Sequence, residues 1–523
     1  MPAFMVNAST VTHRPPAPGR GLAARASADP LWLALATVAL ITVLRMQHSV
    51  DADVSWQLWI ARQMNGGAHL YRDIIEANPP LWFWMAMPVS RLADLIHVRS
   101  DELLIVVISC WASLSLAATD RLLNVISRPG RCLLLTYAAL VLVALPWLQF
   151  GQREQIALIV TLPYAALVAA RRGGRFVSAR LALLVGASAA AGFSLKHYFL
   201  LVPVLLELWL LLSAGKRWRP LRAETAALVA VGALYAAAWA VWAPDYFSVQ
   251  LPLIILAYGA TGAERVVDLF QPAVLLSLAT LGVLAAQART LRSEEAGFAM
   301  AMAVAASAFA AAYFIQGKGW SYQAVPLVGC AAIALATSLT AQVRPRLAIL
   351  AAPALLCLPF WIAAQQAMHQ SPVSADVDRA LKDLRPGDPV GFIGTDPALG
   401  WPVTLQRGFA YPSRYYGFWM MRAIVNNEHA SSPDPRLAQL GSRVISDTVH
   451  DFRCLAPKRI IVARPTPAAA RAGDFDILAF FLRDPEFVRL LAHYRPVART
   501  SVESFELASP LESSIACVRR AKS

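Results

Sequence analysis

Eleven stretches of this 523-residue chain are apolar and long enough to cross a hydrocarbon layer of about 30 Å. They lie near residues 31–47, 102–125, 132–149, 153–171, 180–196, 197–214, 224–243, 270–288, 296–315, 321–340 and 347–366. Lipid offers no partner to a backbone N–H or C=O, so a spanning segment must be a helix or part of a closed barrel. No run of short alternating strands is present here, and the stretches are therefore expected to be helices. Composition agrees: 57% hydrophobic residues and 15% charged residues are more than one soluble core would use. The expected fold class is an α-helical polytopic membrane protein.

A formal charge of +14 raises the question of nucleic acid, and its distribution answers it. The cations sit in short loops: Arg14, Arg20 and Arg25 before the first stretch, then 128–131, 171–175, 215–222, 288–292 and 343–346. That is the positive-inside pattern of a multi-pass protein, not a basic stripe interleaved with aromatics. No nucleic-acid partner is expected. All these loops share the cytoplasmic side only if "PPLWFWMAMPVSRLADLIHV" (79–98) fails to span. This segment carries Arg91 and Asp94 and reads as a helix lying at the outer face. The N-terminus is then cytoplasmic, with residues 1–30 a Pro-, Ala- and Arg-rich disordered tail. Residues 31–370 form the membrane domain, with a large outer loop over 48–101.

From Ser371 the composition changes to that of a soluble α/β domain, 371–523, outside the membrane. Strands are expected at 389–394 and within "PKRIIVARP", followed by one amphipathic helix in "DFDILAFFLRDPEFVRLLAHYRPVA". Cys454 and Cys517 are the two cysteines of this domain, and in an oxidising compartment they are a disulfide candidate. No CxxC or HExxH spacing signals a metal site.

The unusual polar residues collect on the outer face. "DADVSWQLWIARQM" reads as an amphipathic helix whose Trp56, Trp59 and Ile60 lie on the bilayer surface. Asp51 and Asp53 fall at its positive N-terminal end, where an ionised carboxylate is favoured. They are the candidate catalytic pair. Farther on, Asp73 and Glu76 flank the turn before Pro79, with Arg72 available to pair with either. The outer turns supply cations: Arg153 in "GQREQ", Lys196 and His197 in "LKHY", and Lys318 in "GKGWSYQ". Several cations converging on a carboxylate suit a phosphate.

The stretches "DADVSW…NGGAHLYRDIIEANPPLWFW", "GQRE", "SLKHYFLLVPVLLE" and "KGWSYQAVP" resemble the GT-C integral-membrane glycosyltransferases. The branch is that of the protein mannosyltransferases and bacterial aminoarabinose transferases. The resemblance covers roughly 31–366. It implies a multi-pass protein of the bacterial inner membrane with a periplasmic C-terminal domain. It also implies inverting transfer of a sugar from a polyprenyl-phosphate donor, with Asp53 or Asp51 as the general base. The acceptor is a glycan, glycolipid or protein, and membrane lipids surround the bundle. Arg153, Lys196, His197 and Lys318 would hold the donor phosphate, and Tyr71, Arg72, Asp73, Glu76, Trp320 and Tyr322 would contact substrate. Two departures stand out: Asp-Ala-Asp leaves open which aspartate is the base, and Asn78 replaces the Lys or His that some relatives place before the prolines. No cofactor is required, although the acidic loop leaves room for a divalent ion.

Two other classes fit less well. A transporter or flippase places ionisable groups near the midplane on broken helices, often within internal repeats. A non-catalytic partner in polysaccharide assembly leaves the acidic loop without a task. The topology is directly testable: a reporter fused near Ser100 is expected to read as periplasmic and one near Arg172 as cytoplasmic. Both on one side would overturn it.

Overall fold

A computed structural model of the chain describes residues 29–260, 266–287, 294–341, 356–361, 364, 372–465, 475–511 and 517. The predicted N-terminal tail, the basic stretches 288–292 and 343–346, and most of the predicted span 347–366 lie outside the described residues.

The first described part is a bundle of thirteen helices: α1 (Pro30–Arg45), α2 (Ala52–Asn65), α3 (Leu81–Leu95), α4 (Ser100–Leu122), α5 (Arg128–Val143), α6 (Arg153–Arg172), α7 (Ala179–Phe193), α8 (Leu201–Ala214), α9 (Ala223–Trp242), α10 (Leu251–Ala260), α11 (Pro272–Gln287), α12 (Glu294–Gln316) and α13 (Ser321–Ala341). Among the described residues six segments are long and apolar enough to cross a membrane: α4, α6, the unit His197–Arg217 that contains α8, α9, α12 and α13. With four shorter apolar helices beside them, the chain is a multi-pass membrane protein.

Helix α6 is the axis of the bundle. Every residue from Arg153 to Ala170 is buried, and α4, α7, α8, α12 and α13 pack around it. A helix covered on all sides needs small and apolar residues on every face, and "ALIVTLPYAALVAA" supplies them. Helix α9 is its opposite: Leu234, Val241 and Trp242 are exposed, as befits a helix surrounded by lipid. Close approach of backbones depends on small residues. A Cβ on Gly186 of α7 would meet the Glu224 backbone of α9, and one on Gly192 would meet Val160 of α6.

Helix α3, interrupted by Pro88, has 15 residues and packs along α2 and against α4. At 1.5 Å per residue it is about 22 Å long, short of the hydrocarbon thickness. After α9 a π-helical turn at Tyr246–Gln250 runs into α10. "LPLIILAYGA" is apolar at nearly every position, so it packs as a helix and carries part of the C-terminal domain.

That domain contains α14 (Pro372–Ala380), β1 (Val390–Ile393), α15 (Met421–Glu428), α16 (Pro435–Cys454), β2 (Arg459–Ala463), α17 (Ile477–Phe481), α18 (Pro485–Leu491), β3 (Tyr494–Arg499) and β4 (Val502–Leu507). The sheet order is β1-β2-β4-β3. β1 and β2 run parallel, with Val390 opposite Arg459, and the other two pairs are antiparallel. α16 lies against the sheet through Val444, Phe452 and their neighbours, and Gly391 leaves room for the Phe452 ring. The single amphipathic helix expected over 474–498 is two short helices. Asp484 caps the second by accepting from Glu486 N and Phe487 N, and Pro485 cannot continue the first. Cys454, at the end of α16, is disulfide-bonded to Cys517, with Cα atoms 5.5 Å apart.

The α7–α9 contact carries a prediction. Gly186→Ala is expected to lower the melting temperature of the detergent-solubilised protein, because the obstacle is backbone. Gly232→Ala, in open space on α9, is expected to leave it unchanged or raise it, since alanine favours helix. Equal melting of the two variants would refute this packing.

Candidate active site

The site forms where the first turns of α2 and α6 meet. Asp51 is the N-cap of α2, and its Oδ1 accepts from Val54 N at 2.8 Å. Asp53 lies in the first turn of the same helix. Gln152, the residue before α6, donates its amide N–H to both: 2.8 Å to Asp51 Oδ2 and 3.1 Å to Asp53 Oδ2. The turn that places Gln152 needs glycine. Gly151 has φ +90°, and a side chain there would press on Leu104 and Val54. Its carbonyl accepts from Trp82 Nε1 at 3.1 Å and its N–H donates to Gln155 at 2.7 Å, tying α3 to the start of α6.

Cations come next. Arg153 is 2% exposed, and its Nε and Nη1 have no hydrogen-bond partner. Its charge reaches Asp51 and Glu76, where it favours the ionised carboxylates. Lys196, in the turn after α7, donates to Glu154 Oε1 at 2.5 Å and lies 5.2 Å from the centre of the Tyr322 ring. Burial pulls the Lys196 ammonium below its usual range, and Glu154 opposes that pull. Lys318 sits 4.7 Å over the Tyr258 ring, and Tyr258 stacks on Trp419 of the C-terminal domain. Trp320 is exposed, 5.7 Å from Tyr322.

The other acidic pair separates into two tasks. Glu76 is buried and accepts from Trp56 Nε1 at 2.6 Å and from Asn78 N and Nδ2 at 2.8 and 2.6 Å. Burial raises its pKa against these donors. Asp73 closes a turn by accepting from His69 N at 2.7 Å. Neither pairs with Arg72, which is exposed and bridges to Asp245 at 2.6 Å. Tyr71 is buried at φ +74°, with its hydroxyl donating to Asn78 O and its own carbonyl accepting from Gln250. It anchors the loop. His197 is exposed, with its ring on Tyr198.

Helix α2 does not lie open on a bilayer surface. Trp56, Trp59 and Ile60 are buried, and Trp401, Tyr411 and Tyr416 of the C-terminal domain cover the two tryptophans. The Tyr416 hydroxyl donates to Asp53 Oδ1 at 2.5 Å.

This architecture has a solved counterpart. ArnT from Cupriavidus metallidurans, in a structure bound to undecaprenyl phosphate, superposes with a TM-score of 0.54 at 12% identity, over 91% of this chain and 97% of that one. The fold is the GT-C fold. Oligosaccharyltransferase structures from Archaeoglobus fulgidus, one with Zn and sulfate and one of AglB with an inhibitory peptide and a dolichol-phosphate, align at TM-scores of 0.45 and 0.42, each at 12% identity. They are longer, and this chain spans 73% and 75% of them. No family model and no curated protein matches the sequence.

Within the GT-C fold, the residues brought together are Asp51, Asp53, Glu76, Arg153 and Lys196, with Tyr322 over Lys196. Sequence reading passed over Gln152, Glu154, Trp401, Tyr411, Tyr258 and Tyr416, and gave Trp56 to the bilayer instead of to Glu76 and Tyr416. Gln152 and Glu154 stood in the quoted "GQREQ", one residue either side of Arg153. Tyr416 stood in the aromatic run "SRYYGFWMM", whose partner is 363 residues away in the chain. Among the described residues no group of three or more His, Cys, Asp or Glu is arranged to hold a metal.

Asp51 predicts a pH dependence. Burial and the Asp53 charge raise its carboxyl from 3.8 to about 7. A raised acid favours folding while it is protonated, so its contribution is complete below about pH 4 and is lost as pH rises through about 7. Asp51→Asn keeps the helix cap and is expected to flatten that slope in melting curves taken from pH 4 to 8. An unchanged slope would refute the raised carboxyl.

Proposed function

We propose that the chain is a glycosyltransferase of the outer face of the bacterial inner membrane, taking a sugar from a polyprenyl-phosphate donor. The buried guanidinium of Arg153, with Nε and Nη1 free of hydrogen bonds beside a carboxylate pair, carries this reading. A buried cation with free N–H groups calls for an anion, and α6 adds the positive end of its dipole at the same point. The ArnT structure, bound to undecaprenyl phosphate, supplies the chemical class of that anion.

Asp53 acts as the general base. It removes the proton of the acceptor hydroxyl as the oxygen attacks the anomeric carbon, and the configuration inverts. Charge moves to the departing phosphate, where Arg153 stabilises it more than in the bound donor. Lys196 contributes less, because Glu154 already takes up its charge. It holds the turn after α7 against the start of α6. Lys318 and Trp320 lie at the open edge of the site, suited to the sugar and the donor headgroup. No step requires a cofactor. Acceptor chemistry stays at the level of a hydroxyl on a glycan, glycolipid or protein. The ionisable groups of the site lie at the first turns of helices or in the loops between them, not at helix middles, which favours transfer over transport.

The test uses purified protein, undecaprenyl-phosphate-linked pentoses and hexoses, and an envelope extract as acceptor, reading release of undecaprenyl phosphate. Asp53→Asn is expected to lower the rate about 10²–10⁴-fold, the range for losing a general base. Asp51→Asn is expected to cost less. Wild-type release by both single variants and by the double variant would overturn the reading.

A further inference from the structure

We propose that Tyr416 is a positioning residue for Asp53, so that the C-terminal domain completes a site built in the membrane bundle. The inference rests on Asp53 as the base. A carboxylate at the start of a helix turns freely about its last side-chain bond unless donors fix it. Asp53 has one donor on each oxygen: Gln152 Nε2 at 3.1 Å on Oδ2 and the Tyr416 hydroxyl at 2.5 Å on Oδ1. The first comes from the bundle and the second from the other domain. A carboxylate offers about four lone-pair sites, so the acceptor hydroxyl still finds one.

Tyr416 is itself held from two directions. Its ring stacks on Trp56 at 5.2 Å and 19°, and the Trp56 indole is fixed by its bond to Glu76. Two residues earlier, Arg414 O accepts from Ile75 N at 2.9 Å, pinning the segment to the acidic loop. Arg414 is in turn clamped by Asp447 and Asp451 of α16, and Tyr415 donates to Asp447 at 2.7 Å. The phenol also keeps its proton. Burial and the neighbouring Asp53 charge push Tyr416 well above the usual tyrosine range, so it remains a donor wherever Asp53 is charged. Stacking alone would need the ring and not the hydroxyl. Only a bond to Asp53 uses the oxygen.

Tyr416→Phe removes that oxygen and keeps the stack. Per folded molecule, kcat for undecaprenyl-phosphate release is expected to fall about ten- to a hundredfold, the range for losing one hydrogen bond to a charged group. KM for the lipid-linked donor is expected to hold. In the Asp53→Asn background the same change is expected to cost nothing further. A double-mutant cycle on melting temperature reads the contact without substrate, and is expected to show coupling between the two positions. Wild-type kcat in Tyr416→Phe, with Asp53→Asn inactive, would overturn the role of Tyr416 and leave the base in place. Additive melting effects, or a loss matched by loss of folded protein alone, would also overturn it. Full activity of Asp53→Asn would instead overturn the reading of the base on which it rests.

Discussion

One amide group joins the two halves of this site. Asp51 and Asp53 stand two residues apart at the start of one helix, where their charges repel, and burial sharpens the repulsion. The Gln152 amide nitrogen, donating to both, draws them to the start of α6 and fixes α2 against the axis of the bundle. Everything beneath serves that meeting of helix ends. Gly151 makes the turn, Trp82 closes it from α3, and α6 can be central because the stretch between its charged ends is mostly small and apolar. The membrane thus dictates where chemistry can occur: polar groups are affordable at helix ends, and the ends are brought together.

The division of labour among the cations follows from the same economy. A buried charge without a partner is costly, and a paired one has little left to offer a ligand. Lys196 and Glu154 Oε1 pair at 2.5 Å and stiffen the floor of the site. Arg153, next to Glu154 in sequence, keeps two N–H groups unpartnered. Sequence position alone treats these two cations as equivalent. Geometry separates the structural one from the one suited to an anion.

Much of the bundle was legible because lipid enforces a simple rule. The apolar stretches near 102–125, 153–171 and 321–340 correspond to α4, α6 and α13 to within a few residues, and the short segment after Pro79 is a 15-residue helix. The carboxylates at the start of α2 were legible for a local reason, the cap. The failures share another cause. Trp56, Trp59 and Ile60 read as a bilayer-facing stripe because an apolar face does not reveal its partner; the covering residues lie more than 300 positions away. Pairing of Arg72 with a near neighbour was the local expectation, and a distant Asp245 won it. Local chemistry is written in short spacing, whereas contacts across domains are not.

This limit explains where the acidic loop acquires its shape. In isolation, residues 66–80 contain a positive-φ glycine, a tyrosine at φ +74° and two consecutive prolines, none of which favours a regular element. The loop is held instead by single bonds to separate bodies: Gln250 to the Tyr71 carbonyl, Asp245 to Arg72, Arg414 to Ile75 and Trp56 to Glu76. The anchors come from three places, the turn Asp245–Gln250, the C-terminal domain and α2, so no one of them sets the loop. Strain at Tyr71, of order 1–3 kcal/mol for a residue of this kind, persists because the surroundings over-determine it. A loop fixed in this way leaves Glu76 buried beneath Trp56, and the ring of Trp56 becomes the surface on which Tyr416 rests. The position of a side chain from the end of the sequence is therefore set by a carboxylate near its beginning.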